Sequence, residues 1–156
     1  MKYSEIFSDW LIELGYDHCF FVGGGNIMHL IESISNRMQC TPVIHEVAAG
    51  IAAEYYNETS ETGKAFALVT AGPGLTNIIT ALAGAFLESR ELLVIGGQVK
   101  TTDLALGEVR QRGIQEIDGV SISKPITKTS VLTMEPISFN RLNELVNITR
   151  AARKGP

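Results

Sequence analysis

KAFALVTAGPG, residues 64–74, decides how the rest of the chain is read. Ala65 to Val69 is a short, unbroken apolar run, and a glycine-proline turn follows it. Such a run reads as a strand buried on both faces, as in a parallel sheet covered by helices. Pro73 suits the first turn of a helix, where its missing N–H would have no partner anyway. The spacing predicts that this helix runs to about Glu88.

Working outward, the same alternation recurs. ELLVIGG (91–97) follows as another strand, and HCFFVGGG (18–25) precedes as a strand running into a glycine loop. TPVIH (41–45) and ITKTSVLTM (126–134) are the remaining predicted strands. Helical spacing of apolar residues marks 3–14, 26–35, 46–58 and 137–152. Residues 98–116 read as a long ordered loop, a kind that is often functional. The expected architecture is a three-layer α/β/α domain, residues 1–156, with a mainly parallel sheet. Because the last helix runs into ARKGP without a further strand, the expectation is an N-terminal fragment of a longer multidomain enzyme, its final strand missing.

Composition narrows the function classes. With a net charge of −4 and scattered basic residues, nucleic acid is not the expected partner. No apolar run approaches the ~18 residues of a membrane span. The opening MKYSEIFSDW is amphipathic and lacks a small-residue cleavage site, so a cytoplasmic protein is expected. Cys19 and Cys40 lack zinc-site spacing, and His18, His29 and His45 form no ligand motif, so no metal site is read on this chain.

Ligands of open α/β sheets bind at the C-terminal ends of strands. Those ends are Gly23-Gly24-Gly25, His45-Glu46, Ala71 to Gly74, and Gly96-Gly97-Gln98. A dinucleotide fingerprint fails twice, because its third glycine would fall at Met28 or at Asn77. A phosphate loop ending at Gly63-Lys64 fails at Glu58. Glu46 admits two readings. It is either a half-exposed first-turn residue favoured by the helix dipole, or a buried carboxyl retained to bind or protonate a ligand. The small residues after it, Val47 to Ala53, offer no charge partner within a turn.

VGGG, the HE pair with its small-residue helix, GKAFALVTAGPGLTN, LLVIGGQV, IQEIDGVSISKPITK and the closing RKGP occur in one order. In that order and spacing the chain resembles the N-terminal, pyrimidine-binding domain of thiamine-diphosphate-dependent enzymes of the acetolactate synthase type. The resemblance covers residues 3–156. It implies that Glu46 hydrogen-bonds the ring nitrogen of the cofactor's aminopyrimidine and promotes its imino tautomer, which activates the thiazolium carbon. It implies cofactor-pocket roles for Gly24, Gly25, Gly72, Pro73, Gly74 and Asn77, and places Gln115 at the reacting end of the cofactor. The sequence departs from the family's common residues at Gly23, Val47 and Ile114.

The resemblance also carries expectations for a whole enzyme. It would be a transferase or lyase that decarboxylates pyruvate or another 2-oxo acid and transfers the resulting aldehyde unit. Magnesium and the diphosphate would be held by a separate domain, which carries a GDG motif that this chain lacks. In some family members FAD is also present, contacting mainly other domains. The pocket would form between subunits of a homodimer or homotetramer, so the isolated chain is expected to be inactive. The other readings are a 2-oxo-acid decarboxylase subunit and a catalytically silent interaction subunit with the same fold.

Overall fold

A computed structural model describes residues 1–156. Four strands, β1 (Tyr16–Phe21), β2 (Gln39–Pro42), β3 (Lys64–Val69) and β4 (Leu93–Gly96), form one sheet in the order β2-β1-β3-β4. Every pairing is parallel. The helices are α1 (Tyr3–Glu13), α2 (Met28–Ser35), α3 (Glu46–Thr59), α4 (Pro73–Asn77), α5 (Ile79–Glu88), α6 (Gly119–Ser123) and α7 (Phe139–Arg150).

The quoted stretch is the centre of this arrangement. Alternate residues of β3 face opposite layers, as strand geometry requires. Ala65, Ala67 and Val69 pack with Ala49, Ala53, Ile78, Ala81 and Ala85 of the α3–α5 layer. Phe66 and Leu68 pack with Leu11, Ile34, Leu142 and Val146 of the α1, α2 and α7 layer. One layer is small and the other large. The small side lets α3 come close to α5, where Gly50 lies directly against the Ala81 side chain.

Asn57 ties the far end of α3 to the sheet. Its Oδ1 accepts from the Ala65 N–H at 2.7 Å, and its Nδ2 donates to the Ala65 and Glu91 carbonyls at 3.1 and 3.3 Å. All of this is buried. Removing the amide strands three backbone groups away from water, which makes the loss larger than that of an exposed hydrogen bond. Asn57→Ala is expected to lower unfolding stability by about 2 kcal/mol. A urea midpoint equal to that of the parent chain would show that water replaces the amide.

Three sequence expectations need correction. The predicted strand at 126–134 does not form: a 3-10 turn spans Lys124–Ile126, and no strand follows it. The run is rich in β-branched residues, but a strand needs a neighbour, and β4 is not adjacent. A cleft of about 640 Å³, walled by Leu93 and Val94 on one side and by Thr129 and Val131 on the other, lies between them. The outer edge of β4 is therefore unpaired. The backbone of Lys128 instead donates to the Pro156 carbonyl at 2.7 Å. The second strand sits earlier than predicted, at Gln39–Pro42, because its register with β1 pairs His18 with Gln39 and Phe21 with Pro42. The helix predicted from Pro73 to Glu88 is interrupted for one residue at Ile78, whose ψ of −14° tightens the turn.

Candidate functional site

The C-terminal ends of β1 and β3 and the start of α3 bring most of the candidate residues together. Glu46 is the first residue of α3 and is 8% exposed. The residue before it, His45, caps the helix: its Nδ1 accepts from the Val47 N–H at 3.2 Å. Glu46 thus stands in a first turn, as the first reading has it, but is buried and not half-exposed.

Two other carboxylates are buried in this chain, and they set the standard for judging Glu46. Glu54 pairs with Arg90 at 2.9 Å. Glu91 lies between Lys64 at 3.6 Å and Arg150 at 3.5 Å. Both follow the rule that buried charge is matched by opposite charge. Glu46 has no cationic partner. Its single hydrogen bond is to a neutral amide, with Asn77 Nδ2 donating to Oε2 at 2.9 Å. Its other oxygen takes no donor from the protein and is available to a ligand.

Asn77 ends α4, so the five-residue helix that begins at Pro73 reaches from the glycine turn to Glu46. Gly72 precedes that helix with φ of +60° and ψ of −112°, a conformation open to glycine and costly for other residues. It lies against the backbone and Cβ of Gln115, with no room for a side chain between them. Gln115 is exposed and itself has φ of +58°.

Gly24 matters through close approach. It lies on the side chain of Thr70, the residue after β3, and any Cβ at position 24 would overlap that side chain. Gly74 packs on the same threonine from α4. The Thr70 hydroxyl is buried and has no hydrogen-bond partner. Gly25 meets nothing, so close packing does not require a glycine there. Pro73 is exposed at the first position of α4. The structure thus joins Glu46 to Asn77 and joins Gly24, Gly72, Gly74 and Gln115 around the end of β3. No hydrogen bond links Gln115 to Glu46.

Sequence reasoning passed over three residues here, Thr70, Asn26 and Glu116, and placed Gln98 at a strand end without naming a partner for it. Thr70 is a polar residue closing an apolar strand at its C-terminal end, and that position was the available signal. Asn26 and Gln98 clasp across two loops, the Asn26 amide donating to the Gln98 carbonyl at 3.3 Å. Glu116 accepts three backbone N–H groups, which no local spacing announces. The 640 Å³ cleft contains none of Glu46, Asn77 and Gly24, so that cleft and the candidate chemistry lie apart. The groups around Glu46 form an open face instead. Ile44 beside it is fully exposed, and Ala48, Ile51 and Tyr55 continue an exposed apolar stripe along α3.

Residues 1–122 match the family model described as thiamine pyrophosphate enzyme, N-terminal TPP binding domain. The mitochondrial acetolactate synthase catalytic subunit of Aspergillus candidus is 36% identical over 157 residues, covering 98% of this chain and 22% of the relative. The acetolactate synthase large subunit of Lactococcus lactis is likewise 36% identical, covering 98% of this chain and 26% of its own length. The chain therefore spans about a quarter of the length of the curated relatives it matches. With the family model matching well over half of its residues and a parallel sheet carrying a buried glutamate at the strand ends, the chain belongs to the family of thiamine pyrophosphate enzyme N-terminal domains.

Proposed function

We propose that this chain supplies the pyrimidine-binding half of a thiamine diphosphate site in an acetolactate-synthase-like enzyme. The enzyme would decarboxylate pyruvate or a related 2-oxo acid and transfer the remaining aldehyde unit. The observation that carries the reading is Glu46: it is buried, unmatched by any cation, and held by Asn77 so that one carboxyl oxygen stays free.

The residues present fit the group. An aminopyrimidine needs one carboxyl at its ring nitrogen and backbone groups at its edge. Glu46 offers the carboxyl. Gly24 and Gly72 let Thr70 and Gln115 pack directly on the main chain at the end of β3, and the buried Thr70 hydroxyl still lacks a partner there. A thiamine diphosphate held there by Glu46 and Asn77 would supply a carbon nucleophile and an electron sink for decarboxylation.

This chain's own work is narrower. The Asn77 amide fixes the Glu46 rotamer through a 2.9 Å hydrogen bond. Glu46 then holds or passes a proton at its free oxygen. Gln115 presents an exposed amide beside Gly72. The apolar stripe of Ile44, Ala48, Ile51 and Tyr55 supports a pocket closed by a second subunit, in a homodimer or homotetramer. A diphosphate-binding domain of that subunit would hold magnesium and the diphosphate, and the chain would be the N-terminal part of a longer enzyme.

Calorimetric titration tests this. Thiamine diphosphate with magnesium is added to the 156-residue chain and to the longer polypeptide that carries it. Tight binding is expected only in the longer polypeptide, and pyruvate turnover only there. Absence of binding in the longer polypeptide, or turnover by the short chain, would overturn the reading.

A further inference from the structure

Gln115 holds a left-handed conformation that L-residues adopt only at a cost. Its φ is +58°. Strain of this kind persists only where the surroundings hold it. Gly72 backs the residue from the β3 side. What fixes it from the loop side is the next residue.

Glu116 spends its whole carboxylate on backbone. One oxygen accepts from the Ala105 N–H at 2.6 Å, and the other accepts from Arg112 and Gly113 at 3.0 and 3.1 Å. The nearby guanidinium of Arg112 is engaged elsewhere, with Glu108 at 3.1 Å and the Leu104 carbonyl at 3.5 Å. Glu116 is thus a brace that gathers residues 105–113 onto position 116. Beyond it, Gln98 Nε2 donates to the Ile117 carbonyl at 3.0 Å. Gln115 is pinned between these attachments and Gly72.

We propose that Glu116 is the positioning residue for Gln115: its carboxylate gathers the 105–113 loop by three backbone N–H groups and so locks Gln115 in the left-handed conformation that presents its amide at the end of β3. This rests on the reading of Gln115 as a cofactor-facing residue. The brace requires an acceptor with two free oxygens. A glutamine at 116 keeps one oxygen and turns its NH2 group toward a backbone donor, so at least one of the three bonds is lost. An aspartate is one methylene shorter and cannot span both sides. The three donors also hold the Glu116 carboxyl below the usual range, which keeps it a pure acceptor at neutral pH.

The test is nuclear magnetic resonance on the 15N,13C-labelled chain and its Glu116→Gln, Glu116→Ala and Glu116→Asp variants. Amide exchange is read at Ala105, Arg112 and Gly113, and the Gln115 backbone by its Cα shift. Side-chain amide shifts of Gln115 and Asn77 are followed while thiamine diphosphate and magnesium are added at millimolar concentration. In the variants, exchange at one or more of the three amides is expected to rise by about tenfold or more, with loss of the left-handed Gln115 shift. The cofactor-induced shift at Gln115 should vanish while that at Asn77 persists. Preserved Leu68 and Ala67 signals identify variants that remain folded. If Gln115 keeps its left-handed signature in a folded Ala or Asp variant, the proposal is wrong. Failure of the functional reading is read from the calorimetry on the longer polypeptide, whereas the exchange and backbone arms decide the role of Glu116 whether or not the short chain responds to the cofactor.

Discussion

Glu46→Gln is expected, on the function proposed above, to lower kcat/KM for a 2-oxo acid by about 10²–10⁴-fold in the longer enzyme of that proposal, the range ordinarily contributed by a positioned proton-transfer group. The substitution is nearly isosteric. A glutamine oxygen still accepts from Asn77, so the 2.9 Å hydrogen bond has a counterpart. What disappears is the ability to carry a proton at the free oxygen. The thermal midpoint should therefore move little. Carbon dioxide release from pyruvate, measured beside the thermal midpoint, separates the outcomes. Large activity loss with an unchanged midpoint assigns Glu46 to the chemistry. Near-full activity would mean that Glu46 only starts α3.

Phe66→Ala is expected to destabilise the domain by about 3–5 kcal/mol, as for other buried aromatic truncations. Phe66 is 0% exposed at the centre of β3, and its ring meets that of Tyr16 edge-on, 5.6 Å apart and at 90°. Three helices converge on this layer, so no single one can move in to fill the space left behind. Domains of ordinary size retain only about 5–15 kcal/mol in total. With a urea slope of about 2 kcal/mol per molar, the midpoint should fall by about 2 M. Trp10 is the only tryptophan and packs against Phe139 at 6.0 Å, which makes its fluorescence a reporter of the same layer. A fall under about 0.5 M would mean that the layer collapses around the gap, against the close packing argued above.

The layers of this fold were legible because β3 reads as continuous apolar sequence and the helix after Glu46 is built of small residues. Both are local properties. The misreadings arose where structure depends on a distant partner. The pattern at 126–134 suits a strand, yet strand formation depends on a neighbour that the sequence does not name. The short helix α6 has a capping residue, with Asp118 accepting from the Ser121 N–H at 2.9 Å, but Gly119 at its start hid the signal. The site followed the same division. Position at strand ends singled out Glu46 and the glycines, whereas the meeting of Glu46 with Asn77, 31 residues away, is a product of folding. Resemblance to a family pointed to Asn77 and Gln115; spacing alone did not.

The two margins of the sheet are unlike each other. At β2 the border is Gln-Cys-Thr-Pro, four residues long, polar in part and closed by a proline that cannot extend a ladder. At β4 the border is Leu-Val-Ile-Gly, with free main-chain donors and acceptors above an apolar trough. Natural sheets blunt such borders with charge, proline or a cover, because a bare one recruits any extended chain. This chain guards one margin and leaves the other adhesive. In concentrated solution its molecules should therefore cling through the β4 side, and colloidal behaviour, more than thermal stability, would limit how the isolated chain can be handled.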